Sequence, residues 1–237
     1  MLNQVLKNLD DESKILDFGC LSWTVYHESK KINKNFVHYA CDIIEPSLIP
    51  ADINFFTVDE GVERLDIEDD SFDLIVLSHV LEHVSAPVPL FEELVRICKP
   101  GGRIYVETPS DRSVSVKSDK CAQSHSFYNF WDDPTHIRPY SPAGLYRLAI
   151  SFCMIPEEVK YIGNWLDVAV YPFYVLLSMV SNERFELTVA MWKRYKWACY
   201  MVARKPENKN GRIPYKYISL KNVKKGYENA LSYRETL

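Results

Sequence analysis

The sequence predicts an α/β fold in which a mostly parallel sheet of seven strands carries helices on both faces. The first observation is Leu74–Leu77, a continuous apolar run that contains β-branched residues. Such a run is typical of a strand that is buried on both faces of a parallel sheet. The second observation is the alternation of strand-like and helically spaced segments over residues 14–107, which indicates βαβ units with right-handed crossovers.

The predicted elements follow one another in a regular order. Helically spaced apolar residues open the chain with a short helix over residues 2–9. The first five strands are predicted at residues 14–18, 36–41, 53–58, 72–78 and 103–107. Helices are predicted at residues 22–31 and 90–98, and Lys99–Gly102 forms the turn that stops the second of them. A helix capped by Ser141, with Pro142 in its first turn, precedes two final strands at residues 159–162 and 197–203.

Length and cysteine usage bound the class of protein. The 237 residues suit a single α/β domain over residues 1–237, with room for an insertion. The six cysteines include no Cys-x-x-Cys pair, which favours free thiols in a reducing compartment. Met1–Asp11 lacks the apolar core of a signal peptide. We therefore expect a cytoplasmic protein.

An apolar insertion is predicted at residues 164–196, between the last two strands. Val168–Ser181 contains no charged residue, but a run of 14 is shorter than the ~20 residues that span a bilayer, and Pro172 interrupts it. The sequence therefore excludes a transmembrane helix here. It leaves open a packed core, a homodimer interface, an amphipathic lid, or a peripheral contact with the inner face of the membrane.

Charge is distributed unevenly along the chain. Residues 1–192 carry 16 Lys and Arg against 29 Asp and Glu, whereas residues 193–237 carry 12 against 3. This asymmetry favours either an anionic partner or a basic tail over residues 205–237 that folds onto an acidic body. A basic tail alone is weak support for RNA binding, and the motifs of base methyltransferases are missing from the sequence. We predict no nucleic-acid partner.

Polar residues cluster where the fourth strand ends and a helix can begin. Ser78, His79, Glu82 and His83 follow the apolar run directly. In open α/β sheets, ligands bind outside the carboxyl ends of the strands. The cluster therefore predicts a functional site at this edge of the sheet.

Three short stretches resemble one family. Ser71–Asp73, Leu81–Val84 and the Lys99–Gly102 turn are similar to the corresponding segments of class I S-adenosylmethionine-dependent methyltransferases. The resemblance runs over roughly residues 14–150. It implies a Rossmann-like, doubly wound sheet, methyl-transfer activity, and S-adenosyl-L-methionine as the cofactor.

The resemblance also implies which residues hold the cofactor. The family's acidic-x-Gly-x-Gly-x-Gly loop reads Asp17–Trp23 here, with Leu21 and Trp23 in place of the second and third glycines. Glycine there gives close backbone approach and positive φ, which Leu21 is expected to resist. Asp42 is implied to accept the ribose hydroxyls, and either Asp59, which we prefer, or Glu60 to lie near the adenine amine. The full implied set is Asp17, Gly19, Cys20, Asp42, Ile43, Asp59, Ser78 and His79.

A second resemblance concerns the acceptor. Residues 128–142 look like the Asp-Pro-Thr-His-Val-Arg-Pro stretch of methyltransferases in bacterial polysaccharide and sugar tailoring. It implies O-methylation of a sugar or phosphate-bearing precursor in capsule or lipopolysaccharide biosynthesis. His136 is the first candidate base, with Asp133 positioning it, and His83 is the second. The residues expected to contact the acceptor are Tyr128, Trp131 and Arg138, the last as a bidentate partner for phosphate or carboxylate.

Other interpretations remain open from the residues alone. Asp132, Asp133 and His136 are close in sequence, but their spacing is not diagnostic, so we predict no metal. The altered glycine loop is the argument for a non-catalytic relative that supports a partner enzyme, and a lipid-linked acceptor is a further alternative. Tyr217 and Lys221 match the Tyr-x-x-x-Lys of short-chain dehydrogenases, but no dinucleotide fingerprint precedes them.

Overall fold

The computed structural model describes residues 1–59, 64–116, 129–180 and 184–207, without side-chain detail for residues 177–188. Seven strands form one sheet. They are β1 (Lys14–Phe18), β2 (Val37–Asp42), β3 (Ile53–Thr57), β4 (Phe72–Ser78), β5 (Cys98–Pro109), β6 (Ile155–Tyr161) and β7 (Ala198–Arg204). The α-helices are α1 (Leu2–Lys7), α2 (Thr24–Lys30), α3 (Pro87–Ile97), α4 (Pro142–Ser151), α5 (Trp165–Val180) and α6 (Arg184–Tyr195).

The sheet has the strand order β3-β2-β1-β4-β5-β7-β6. The first five strands pair in parallel, and β7 runs antiparallel to both β5 and β6. The predicted fold, a mostly parallel seven-stranded sheet with helices, is confirmed. Because β7 is reversed, the connection from β6 to β7 lies at the edge where β5 ends, and Pro109 pairs with Ala198 there.

Strand β4 is the centre of the core, as its apolar run predicts. Ile75 and Leu77 belong to one apolar cluster, whereas Leu74 and Val76 belong to the other. All four are fully buried. Because alternate residues of a strand point to opposite faces, β4 joins both halves of the core.

The sequence signals for the start of α4 are confirmed. Ser141 caps α4 by accepting a hydrogen bond from the backbone N–H of Gly144 at 3.0 Å, and Pro142 is the first helical residue, as predicted. The insertion forms α5 and α6, and α5 continues through Pro172. Pro172 thus interrupts the apolar run less than the sequence indicated. Within the described ranges, no helix is both long and apolar enough to cross a membrane.

Two boundaries differ from the prediction. The helix predicted at residues 90–98 begins three residues earlier, at Pro87, and ends at Ile97, and His79 takes a left-handed φ of +58° between β4 and this helix. Strand β5 begins at Cys98, so the Lys99–Gly102 segment lies inside a strand. Its backbone pairs with Lys205, which accepts a bond from Gly101 and donates one to Gly102. Pairing with Lys205 therefore keeps this segment in the strand, although its Pro and Gly residues favour a turn.

Gly163 allows the segment before α5 to pass close to the last turn of α6. Its φ is +110°, and an added Cβ would lie 2.0 Å from the carbonyl oxygen of Lys193. Gly163→Ala should therefore lower the free energy of unfolding by more than about 1 kcal/mol in urea titrations. The matched control is Gly144→Ala in α4, where a Cβ meets nothing closer than 3.5 Å. Equal stabilities of the two variants would contradict this account.

Candidate functional site

A cavity of about 590 Å³ opens at the carboxyl ends of β1 to β4. Its wall combines residues that follow four strands with residues from α3 and from the segment before α4. The lining residues are Phe18, Gly19, Leu21, Asp42, Ile43, Val58, Asp59, His79, Val80, His83, Val84, Ser85, Ala86, Leu90, Thr135 and Ile137. The wall is mostly apolar, with two carboxylates and two imidazoles as its ionisable groups.

Gly19 allows the loop after β1 to lie against the exit of β4. Its φ is +82°, and an added Cβ would lie 2.4 Å from Cγ2 of Val80. Of the two family glycine positions that differ here, only Trp23 takes a positive φ, +53°. Leu21 lies on the cavity wall, 75% exposed, without a positive φ. The expected conflict at Leu21 is therefore not present, because that position requires no left-handed backbone.

Two carboxylates follow β2 and β3 on this wall. Asp42 accepts a hydrogen bond from the backbone N–H of Ile43 at 2.8 Å through one oxygen. Asp59 is exposed on the wall next to Val58. Carboxylate oxygens beside an apolar surface suit the hydroxyls and the flat ring of a nucleoside. The donor set therefore fits the adenosyl part of S-adenosylmethionine.

Asp17 lies beneath this wall. It is 7% exposed, and burial together with the nearby charge of Asp42 raises its pKa from 3.8 to about 7. Cys20 is also buried, and its burial, together with the charges of Asp17 and Asp42, raises the pKa of its thiol to about 12. Neither side chain lines the cavity. The structure thus places both candidate cofactor residues next to the cavity but not in its lining.

The eight predicted cofactor residues therefore divide into two groups. On the cavity wall are Gly19, Asp42, Ile43, Asp59 and His79. The remaining three, Asp17, Cys20 and Ser78, are next to wall residues in sequence but do not line it. The sequence did not predict the apolar residues of the wall, such as Val80 and Leu90. In a sequence, an apolar residue that lines a cavity looks the same as one that packs in the core.

The buried carboxylate of Glu82 holds the exit of β4 in place. It is 0% exposed. One oxygen accepts a hydrogen bond from Nδ1 of His79 at 3.1 Å, and the other accepts one from the hydroxyl of Thr108 at 2.9 Å. The backbone carbonyl of Glu82 accepts from the N–H of Ile137 at 2.7 Å. Glu82 thus links β4, β5 and the segment before α4.

His79 lies between two carboxylates on the wall. Its Nδ1 faces Glu82, and its Nε2 lies 3.9 Å from a carboxylate oxygen of Glu107. Burial alone lowers the pKa of His79, but the hydrogen bond and charge of Glu82 and the charge of Glu107 outweigh it and raise the pKa. The ring also lies 6.0 Å from that of Trp197. His79 therefore favours the protonated form more than an ordinary histidine does.

A hydrogen-bonded chain reaches His83 from Asp133. The Asp133 carboxylate accepts bonds from the backbone N–H of Thr135 at 2.8 Å and from its hydroxyl at 2.5 Å. Since that hydroxyl hydrogen is used, the Thr135 oxygen accepts from Nδ1–H of His83, 2.9 Å away. A neutral His83 then carries its lone pair on Nε2. Sequence reasoning missed the linking role of Thr135, although it lies inside the recognised motif.

His136 packs behind His83, and it is not among the lining residues. Its Nδ1 lies 2.7 Å from the carbonyl oxygen of Phe130, and its ring stacks on that residue with centroids 4.5 Å apart. The centroids of His83 and His136 are 4.8 Å apart. Nε2 of His136 lies 3.8 Å from Asp133. Its side chain is only 7% exposed.

One donor atom each from Glu82, His83 and His136 lies within 4.8 Å of the others, a set that could hold a transition-metal ion. This group differs from the Asp132, Asp133 and His136 set considered from the sequence. Both Glu82 oxygens already accept hydrogen bonds from His79 and Thr108, so a cation would compete with them.

The predicted acceptor residues are more dispersed. Trp131 is 58% exposed and Arg138 is exposed, and neither lines the cavity. Tyr128, with Tyr217 and Lys221, lies outside the described residues.

The comparisons with known proteins agree with this geometry. The family model described as "Methyltransferase domain" matches residues 1–151. The chain belongs to the methyltransferase domain family. The predicted family is thereby confirmed, and so, at the level of the domain, is S-adenosylmethionine as the cofactor. No finding supports a sugar-tailoring subgroup.

Two curated relatives match parts of this methyltransferase domain. The malonyl-[acyl-carrier protein] O-methyltransferase of Marinomonas sp. (strain MWYL1) is 25% identical over 158 residues, 65% of this chain and 56% of that protein. The tRNA U34 carboxymethyltransferase of Desulfotalea psychrophila (strain LSv54 / DSM 12343) is 28% identical over 136 residues, 54% of this chain and 40% of that protein. The chain spans about half the length of these relatives.

Solved structures share the fold. Phosphoethanolamine N-methyltransferase 2 of Haemonchus contortus, in complex with S-adenosyl-L-methionine, superposes with a TM-score of 0.61 at 14% identity. The match covers 86% of this chain and 51% of that one. At this identity the likeness concerns the fold alone.

Asp42 is expected to contribute directly to cofactor affinity. Asp42→Asn should weaken S-adenosylmethionine binding by about 1–3 kcal/mol, because an acceptor for ribose hydroxyls is lost. Isothermal titration calorimetry measures this change. Glu45→Gln, an exposed carboxylate three residues on, is the matched control and should bind normally. Equal affinity in both variants would remove Asp42 from the site.

The pH dependence of stability should report Asp17. Its pKa is raised from 3.8 to about 7 in the folded chain, so the folded state binds more protons than the unfolded state between these values. The free energy of unfolding should therefore fall as the pH rises from about 4 to about 7. Asp17→Asn should remove this decline in urea titrations, whereas Asp10→Asn, an exposed carboxylate, should retain it. A decline that persists in Asp17→Asn would contradict the assignment.

Proposed function

We propose that the chain is an S-adenosylmethionine-dependent methyltransferase that methylates a hydroxyl of a sugar or of a phosphate-bearing precursor in polysaccharide biosynthesis. The observation that carries the proposal is the Asp133–Thr135–His83 chain, because it provides an oriented imidazole on the cavity wall. A hydroxyl is a poor nucleophile while it is protonated, and a positioned base assists its attack. The sugar class is supported by the resemblance of residues 128–142 to the sugar-tailoring motif.

Each residue has a defined role in this proposal. When bound, S-adenosylmethionine supplies a methyl group on a sulfonium centre. Asp42 and Asp59 hold the nucleoside, and Nε2 of His83 takes the proton of the acceptor hydroxyl. Asp133, acting through Thr135, fixes the His83 tautomer and stabilises the imidazolium that forms. The Marinomonas relative, an O-methyltransferase by name, supports transfer to oxygen.

The geometry of the cavity supports His83 over His136 as the base in this proposal. The sequence favoured His136 with Asp133 as its positioning partner. In the structure His83 lines the cavity, whereas His136 lies behind it with Nδ1 against Phe130. We therefore assign proton removal to His83 and support of the His83 ring to His136.

Replacing His83 should affect catalysis far more than cofactor binding. His83→Ala and His83→Asn should lower kcat by ~10²–10⁴-fold, which is the usual contribution of a general base. S-adenosylmethionine affinity, measured by calorimetry, should change little. His27→Ala, an exposed histidine in α2, is the control. A normal kcat in the His83 variants together with a large loss in His136→Ala would return the assignment to His136.

The pH dependence of the rate separates a positioning role of Asp133 from a purely structural role. A reaction that needs a general base should lose rate on the acid side of its pH profile. Asp133→Asn removes the carboxylate that orders Thr135, so kcat should fall and the acid limb should shift. Thr135→Ser keeps the hydroxyl and should restore most of the rate lost in Thr135→Val. A melting temperature that falls with an unchanged pH profile would indicate a structural role only.

The acceptor class can be tested with radiolabelled S-adenosylmethionine. Nucleotide-linked sugars and sugar phosphates should yield a methyl ether, identified by mass spectrometry, and dialysis against EDTA should leave the rate unchanged. Labelled malonyl-acyl carrier protein or tRNA, with no labelled sugar, would overturn the sugar assignment. Loss of activity in EDTA that returns with a divalent ion would replace the base mechanism with a metal at Glu82, His83 and His136. Failure to bind the cofactor would favour the non-catalytic alternative.

A further inference from the structure

Helix α5 presents an apolar surface to solvent. Six of its large side chains are between 42% and 74% exposed: Trp165, Leu166, Val168, Val170, Phe173 and Leu176. At ~100° per residue these positions cover about 200° of the helix circumference. We call them the α5 apolar face. The opposite side packs on α6, where the rings of Tyr171 and Tyr195 lie 6.4 Å apart.

Basic residues cluster at the end of α6, the helix that packs against α5. Lys193 and Lys196 lie at the end of α6, and the guanidinium of Arg194 lies 4.7 Å over the ring of Tyr171. Arg194 also reaches the carbonyl oxygen of Val168 at 3.5 Å. The sequence contains no acidic residue from Trp192 to Lys205. Positive charge is therefore concentrated at the end of α6, where Arg194 contacts α5.

The preceding part of the chain has the opposite net charge. Residues 1–192 carry 13 more acidic than basic residues. An anionic surface would repel that body and attract the end of the α5–α6 hairpin, so the charge pattern selects one orientation. Apolar and aromatic side chains beside basic residues are the pattern of helices that lie in a bilayer interface.

We propose that the α5 apolar face docks on an anionic lipid bilayer, lying in its surface without crossing it. The hairpin is connected to the cavity side of the molecule. Trp192 of α6 stacks on Trp197 with centroids 4.8 Å apart, and Trp197 lies 6.0 Å from His79 on the cavity wall. The end of the hairpin therefore lies next to the edge of the sheet that carries the cavity. The proposal does not depend on the methyl acceptor.

Vesicle flotation with the purified full chain tests this docking. The protein should float with vesicles of equal parts phosphatidylcholine and phosphatidylglycerol at low salt, and not with phosphatidylcholine alone. Phe173→Asp combined with Leu176→Asp should reduce the bound fraction at least tenfold. Lys193→Glu combined with Lys196→Glu should remove the preference for phosphatidylglycerol. Leu48→Asp, at an apolar side chain 79% exposed in the loop after β2, is the matched control and should float normally.

Two further measurements keep the outcomes distinct. Calorimetry with S-adenosylmethionine shows whether each variant still binds the cofactor. A variant that binds it is folded, so a loss of flotation then reports lost docking. Light scattering of the free protein shows whether Phe173→Asp with Leu176→Asp dissociates a dimer. The proposal would be overturned if the wild-type protein does not float with the vesicles and is a dimer, while the Phe173→Asp and Leu176→Asp double variant is a monomer. That result would assign the face to a second copy. Unchanged flotation of the same variants would also overturn it.

Discussion

The site depends most on the buried carboxylate of Glu82. A carboxylate that is fully removed from water is stable only with hydrogen-bond partners, and Glu82 takes them from His79 and Thr108. Its backbone also binds Ile137. These contacts fix the exits of two neighbouring strands against a segment more than 50 residues away in sequence. The apolar part of the cavity and its imidazoles are held in one geometry as a result.

The segment before α4 is itself held at both ends. Asn129 and Asp132 form a reciprocal capping box at its start. At its end, Tyr140 exchanges backbone hydrogen bonds with Pro109 and Asp111 at the end of β5. The hydrogen bonds of Asp133 and Thr135 lie between these two anchors. A reacting group on such a backbone loses little conformational entropy when an acceptor binds, which favours positioning as the main contribution to catalysis.

The backbone of the altered glycine loop requires a glycine at one position only. Within Asp17–Trp23, only position 19 combines a positive φ with a neighbour that would exclude a Cβ. Leu21 avoids the left-handed region, and Trp23 accepts it at the start of α2. The indole N–H of Trp23 donates to the carbonyl oxygen of Leu48, and its ring packs edge-on against Phe55. These contacts offset the strain of a non-glycine residue there.

The sequence by itself determined the order of strands and helices, the buried strand β4, the Ser141 cap and the family. Each of these follows from local periodicity or from a short motif, and such a signal depends only on residues that are close in sequence. Only the tertiary structure decided that His83 and not His136 lines the cavity, and that Lys99–Gly102 is strand and not turn. His83 and Thr135 are 52 positions apart. Their contact depends on how two distant segments pack around Glu82, and no local pattern records that packing.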